Sequence, residues 1–509
     1  MSSGQRTHWW IWLVAVVPFT VLALLRSREG PRLNEEDYAH NLLHAQALAD
    51  GHSYTDIGFI PTRLTTLGGP IARPPGIPLL LAPLVRIGGV RSPLIPLVMI
   101  AFGVLFLLLA SRAFHDREPA PLIFAIGLVS GLQPDVIHFA SEPLTDLPLA
   151  ALMWGVVVLS DRDERWSGWR LLAITLAGAA AISVRQAGVA LIPAVAVFAL
   201  LRFRTHGARA VIPLIVWCGV FWLTTSVLPT APGGAILDSY AAEPWLDGVP
   251  GRLRVYGFAV LDAQLYPFPL KGLNHAYHAA TLALLGIGFI GAVRTYWRSL
   301  IALLTGAYVA MLFAIPVHDL RYLYPLIPVV VALTLRGLLA CIGWIRPALP
   351  EPRRAMIVAV AATVVALLAT GSQWRPVRQQ GLAVHADSRA LFDWIRPLRA
   401  SGARLVTAKP RIFTLETGVP AMALFGATPD KTIRELCEQG ITHVVLGDLG
   451  LFPRETALLR AAIVAAPGAF HEVYRNDSFG LWRFDDALQR SSDSASCPSP
   501  VKPDSRSRF

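Results

Sequence analysis

Charge is scarce in this sequence. Only 16% of its 509 residues are Asp, Glu, Lys or Arg, where a soluble domain carries about a quarter. Hydrophobic residues make up 54%, and they come in long blocks. About twenty apolar residues span a bilayer core as a helix, so this composition excludes an ordinary soluble enzyme and implies a polytopic membrane protein. Cysteine is also rare. Cys218 and Cys341 fall inside apolar blocks, and with Cys437 and Cys497 they fit no metal-binding spacing. A Cys437–Cys497 disulfide could form outside the cytoplasm, but nothing in the sequence requires it. Acids are fewer than bases, leaving a net charge of +11. The excess Arg residues sit mostly in short loops between apolar blocks, which membrane topology explains better than nucleic acid does.

The first apolar block runs from Trp9 to Leu25. It lacks a small-residue cleavage site near its end and reads as a retained anchor. Further blocks at about 93–112, 120–140, 143–160, 170–184, 187–202, 210–229, 277–296, 299–316, 322–342 and 355–372 predict about eleven spans. With the N-terminus cytoplasmic, the inner loops hold Arg112 and Arg117; Arg162, Arg165 and Arg170; Arg202, Arg204 and Arg209; Arg294 and Arg298; Arg346, Arg353 and Arg354. The short outer loops hold little beyond Arg185 and Arg321, the asymmetry of the positive-inside rule. Residues 26–92, 230–276 and everything from 373 then lie outside. IPLLLAPLVRIGG (77–89) is apolar but too short to span, and reads as interfacial or re-entrant.

The expected fold is mainly α: a transmembrane domain over 1–372, then a small soluble α/β domain over 373–487. In the latter, 403–408, 442–447 and 471–484 read as strands, the last as a hairpin turning at RNDSFG. TPDKTIRELCEQG (428–440) reads as a helix capped by Thr428, with Pro429 first and Gly440 after its end. The Ser/Pro-rich tail 488–509 reads as disordered.

Sorted by side, the polar residues gather at the outer face: Glu35, Glu36, Asp37, Arg73, Asp135, His138, Glu142, Asp146, Arg185, His318, Asp319 and Arg321. Ionisable groups near hydrocarbon are costly and usually line a cavity or pathway. In RLNEEDYAHNLLHAQALADG (32–51), Tyr38, Leu42, Ala45 and Ala49 share one helix face, so this helix is expected to lie on the membrane surface. Its three leading acids either complement the helix dipole or supply a general base. Asp37, His40 and His44 share a face at a spacing compatible with a divalent metal, but an ordinary polar face explains them as well. Arg73 precedes a Pro-Pro-Gly turn. With Arg185 and Arg321 it makes either a set of interfacial anchors or a phosphate clamp. Glu142 and Asp146 stack one turn apart on one helix face, paired with arginine or taking part in a reaction.

The motifs NEEDYAHNLLHAQALADGHSY, RPPGIPLLLAP, SEPLTDLP, VRQAGVALIP and RYLYPLIP occur in an order that resembles the polytopic GT-C glycosyltransferases using polyprenyl-phosphate sugars, the class of the protein O-mannosyltransferases and the lipid A aminoarabinose transferase. The resemblance covers about residues 9–345. It implies transfer of a sugar from a polyprenyl-phosphate donor to a hydroxyl of an extracytoplasmic lipid, glycan or protein, with inversion, at the plasma membrane. It implies Asp37 or Glu35 as the base, and Arg73, Glu142, Asp146, Arg185, His318, Arg321 and Tyr322 as substrate-binding residues, with no metal ligands assigned. One position departs from the family: where its first loop often begins with Asp, this sequence has Asn34. Transport of a lipid-linked or anionic solute, and a non-catalytic membrane scaffold, are the alternatives. A transporter would carry polar residues on both faces.

Overall fold

A computed structural model describes residues 9–28, 35–60, 74–161, 166–203, 207–227, 274–314, 320–373, 385–423, 428–447 and 453–485, with Pro250 and Leu382 singly. The chain divides into two units. One comprises residues 1–29, 74–228 and 240–377; the other brings residues 30–73 and 229–239 together with 378–509.

The first unit is helical. Among the described residues, five helices are long and apolar enough to cross a membrane: Leu94–Phe114, Ala208–Thr225, Ala279–Tyr296, Arg321–Ile345 and Glu351–Gly371. Shorter apolar helices include Trp12–Ser27, Gly76–Gly88, Ala120–Leu132, Asp146–Ser160, Gly168–Val184, Gln186–Leu201 and Leu300–Ala314. Their starts follow local chemistry. The Ser167 hydroxyl accepts from the Arg170 amide at the start of Gly168–Val184. Gln133 accepts from Val136 at 2.8 Å, with Pro134 in the first position where no amide is needed. Apolar side chains cover the outside of the bundle, with Leu79, Leu105, Ile215, Phe289, Ile290 and Leu368 all exposed. Surfaces of that kind suit hydrocarbon rather than water.

Asn274–Tyr296 and Ile327–Ile345 pack backbone against backbone. A Cβ at Gly288 would strike the Leu333 carbonyl oxygen, and one at Gly337 would strike that of Leu284. Small residues permit such approach where no hydrophobic driving force acts between helices. Gly337→Ala is therefore expected to lose about 1–3 kcal/mol by overpacking, read as a lower Tm in detergent. Gly291→Ala on the facing helix Asn274–Tyr296, where a Cβ meets nothing, should leave Tm unchanged.

The second unit holds a five-stranded sheet of β1 (Leu405–Val406), β2 (Ala421–Met422), β3 (His443–Gly447), β4 (Phe470–Arg475) and β5 (Phe479–Phe484), in the order β2-β1-β3-β5-β4. β2, β1 and β3 run parallel, with Leu405 opposite both Ala421 and His443. β5 runs antiparallel to β3, pairing His443 with Arg483, and β4 antiparallel to β5 across the Asn476–Ser478 turn. The helix Pro429–Glu438 begins with the Thr428 hydroxyl accepting from Lys431, and Gly440 follows its end at φ 60°. Cys437 is buried in the core of this sheet domain; Cys497 lies outside the described residues.

The first loop belongs to this domain. The Ile60 amide donates to Ala421 at 2.9 Å and the Ala421 amide to Gly58 at 3.1 Å, so the chain at Phe59 adds a short parallel bridge to the outer edge of β2. Ile60 enters the sheet core, and Leu43, Ala47, Ile57 and Phe59 form a second apolar cluster with Leu415.

Candidate functional site

The helix Asp146–Ser160 begins at a buried carboxylate, 3% exposed on Asp146. Two guanidiniums converge on it from elsewhere in the fold. Arg185 sits in extended backbone at the break between Gly168–Val184 and the 3-10 turn Gln186–Ala190. It donates to Asp146 Oδ1, and to the Thr145 hydroxyl at 3.2 Å. Arg321 is the second residue of the 3-10 turn Leu320–Leu326, which feeds Ile327–Ile345, and its Nη1 lies 3.9 Å from Asp146 Oδ2. The ring of Tyr322 lies beneath Arg185, 4.3 Å from its Cζ, within range for a cation–π contact. The turn is held in place by Trp154, whose indole donates to the Pro325 carbonyl at 2.9 Å, and by Tyr324, 6.2 Å from Phe139 between ring centroids.

Asp146, Arg185, Arg321 and Tyr322 are thus brought together. Glu142 lies four residues before Asp146 and is buried at 4% exposure. Asp146 serves as the shared counter-ion of two arginines, whose formal sum with it is +1. A planar guanidinium fork suits phosphate or carboxylate, so an electropositive arrangement fixed in this way can receive an anion. Arg73 and His318 lie outside the described residues.

The two candidate bases lie in the other unit, on the helix Glu35–Ala49. Asp37 is half-buried there, while the Glu35 side chain lies outside the described residues. The expected surface helix is corrected by the structure. Tyr38, Leu42 and Ala45 are buried, but so are Ala39, Leu43 and Ala47, and His40, Asn41 and His44 are wholly buried. The polar side of this helix packs into protein. His40 stacks on His44 at 4.7 Å, His44 stacks on Tyr54 at 4.3 Å, and His44 Nδ1 lies 2.6 Å from the Tyr54 carbonyl. Among the described residues no group of three His, Cys, Asp or Glu is placed to hold a metal. The middle acid is engaged as well: Glu36 accepts backbone hydrogen bonds from Arg411 and Ile412.

A second ionic cluster corrects the expectation that acids near the membrane gather on one face. At the far end of Asp146–Ser160, about 22 Å away at 1.5 Å per residue, Asp161 pairs with Arg117 at 2.8 Å. Glu118 beside it accepts from the Tyr296 hydroxyl and pairs with Arg336 Nε at 2.7 Å. Burial pushes the Glu118 carboxyl upward, against the pull of Arg336 and the Tyr296 bond. A lone arginine inside the apolar run VALTLRGLLA was the available signal, since a charge there needs a partner.

Apolar hollows of about 480 and 420 Å³ follow the line of Trp9–Ser27 and Glu351–Gln373, lined by residues including Val14, Phe124 and Val360, and Pro18, Leu132 and Leu367.

Among solved structures, ArnT from Cupriavidus metallidurans, the lipid A aminoarabinose transferase, solved with undecaprenyl phosphate, superposes with a TM-score of 0.56 at 13% identity, over 94% of this chain and 98% of its own. The oligosaccharyltransferase AglB from Archaeoglobus fulgidus, solved with an inhibitory peptide and a dolichol-phosphate, superposes with a TM-score of 0.54 at 11% identity, over 91% of this chain and 72% of its own. The chain has the GT-C fold. No protein-family model matches the sequence, and comparison with curated proteins gives no match. In this GT-C fold the arginine pair comes from two 3-10 turns: Arg185 lies just before Gln186–Ala190, and Arg321 lies within Leu320–Leu326.

Proposed function

We propose that the protein is a glycosyltransferase of the plasma membrane. It moves a sugar from a polyprenyl-phosphate donor to a hydroxyl of an extracytoplasmic lipid, glycan or protein. The observation that carries this reading is the buried Asp146 holding Arg185 and Arg321 together within a GT-C fold. The N-terminus is cytoplasmic and about eleven spans cross the bilayer.

The acceptor oxygen attacks the anomeric carbon while a carboxylate, Asp37 or Glu35, takes its proton. The bond from that carbon to the phosphate oxygen breaks, and its electron pair leaves with polyprenyl phosphate. Attack opposite the leaving group inverts the configuration. Arg185 and Arg321, with Arg73, stabilise the charge that grows on the phosphate, which is where preorganised donors contribute most. Tyr322 keeps Arg185 flat, and Asp146 holds both arginines, with Glu142 and His318 contacting the sugar or acceptor. Apolar hollows between helices accept the prenyl chain. No metal is assigned to the reaction, and a divalent ion is compatible with it.

One observation favours the second reading, transport of an anionic or lipid-linked solute: charged clusters stand at both ends of Asp146–Ser160. The far cluster pairs its own members, however, as a structural tie would. The test is transfer of radiolabelled sugar from polyprenyl-phosphate donors to acceptors in isolated membranes, with Asp37→Asn and Glu35→Gln beside the wild type. Loss in one variant and not the other assigns the base. Substrate flux across vesicles without any transfer would replace this reading by the second.

A further inference from the structure

The helix Pro410–Thr417 lacks a cap of its own. Its preceding residue is Lys409, a cation that cannot accept a hydrogen bond, and no side chain there caps the helix. Pro410 has no amide to satisfy, so the first free donors are the amides of Arg411 and Ile412. Both are taken by one carboxylate from elsewhere in the chain: Glu36 Oε2 accepts from Arg411 at 3.2 Å, and Oε1 from Ile412 at 3.1 Å. A carboxylate at a helix N-terminus also meets the favourable end of the macrodipole. Lys409 and Arg411 are nearly buried, and their charges favour an anion at Glu36. Burial pushes the Glu36 carboxyl upward, while Arg411, the two amides and Lys409 draw it down.

Further contacts extend the same junction. Arg411 lies 4.9 Å over the ring of Phe59, and Phe59 bridges to Ala421 on β2. The helix Glu35–Ala49 is therefore held at its first turn by Glu36 and beyond its end by residues 57–60. Glu36 sits between Glu35 and Asp37, so the hold falls on the turn that carries both candidate bases.

We propose that Glu36 is a positioning residue: by capping Pro410–Thr417 it fixes the first turn of Glu35–Ala49, so that the C-terminal sheet domain aims the catalytic carboxylate. This rests on the glycosyltransferase reading above. It gives the C-terminal domain a task in the reaction other than acceptor binding.

The experiment compares wild type, Glu36→Ala and Glu36→Gln for folded yield, for kcat and donor KM in sugar transfer, and for amide hydrogen exchange over 35–49 and 410–417. In Glu36→Ala, exchange at Arg411 and Ile412 rises. Its kcat falls about 100-fold, as a small misplacement of a catalytic group costs, while donor KM and folded yield stay near wild type. Glu36→Gln keeps one acceptor oxygen and falls between the two. Wild-type kcat in Glu36→Ala overturns the proposal alone, as does a loss of activity that merely follows a loss of folded protein in both variants. Absence of transfer by the wild type from every donor overturns the glycosyltransferase reading, and the proposal with it.

Discussion

Arg185→Gln is expected to lower sugar transfer by about 100- to 1,000-fold, the cost of removing one preorganised donor from a developing oxyanion. Transfer from a polyprenyl-phosphate donor in proteoliposomes, at matched levels of inserted protein, reads the effect directly. Arg185→Lys should recover only part of it. A compact ammonium cannot span Asp146, Thr145 and the Tyr322 face as the planar guanidinium does. Activity equal to wild type in Arg185→Gln would remove the phosphate role from this arginine.

Asp146→Ala is expected to act first on the fold. It leaves two guanidiniums without their shared carboxylate, and breaking a buried pair costs about 3–5 kcal/mol. The Tm in detergent and the yield of folded protein should both fall. The double variant Asp146→Leu/Arg185→Met replaces the charged pair by apolar groups and should fold better than Asp146→Ala alone, yet transfer nothing. That combination separates the task of Asp146 from that of Arg185. A double variant no more stable than Asp146→Ala would mean the carboxylate is not there to balance Arg185.

Several elements were legible because their signals are local. Thr428, Pro429 and Gly440 mark the ends of one helix within thirteen residues, and RNDSFG marks the turn between β4 and β5. Asp146 and Arg185 could be suspected from their places at span ends. Their pairing could not, because Arg185 reaches across from another helix. The two-residue strand β2 left no pattern long enough to read, and the helix Pro410–Thr417 has no cap within its own segment. Glu36 looked like one of three equivalent acids. What distinguishes it is a pair of amides contributed by Arg411 and Ile412. His40 and His44 read equally as a wet helix face, but polarity implies exposure only when nothing packs over it. Here Tyr54 and the surrounding chain do. Glu118 and Asp161 were hidden differently: each lies beside arginines in a short basic loop and passes for ordinary loop charge, until Arg336 and Arg117 are placed against them.

The bridge from Phe59 to Ala421 has a consequence for synthesis. The edge that receives Ile60 is made about 360 residues later, which at about 5–20 residues per second is a delay of about 20–70 s. Throughout that interval the helices from Gly76 to Gln373 are being made, while the segment 35–60 has no sheet to join. The first loop therefore reaches its packed state only after the sheet domain that it joins has been made, so its early residues and the late sheet edge fold as one event.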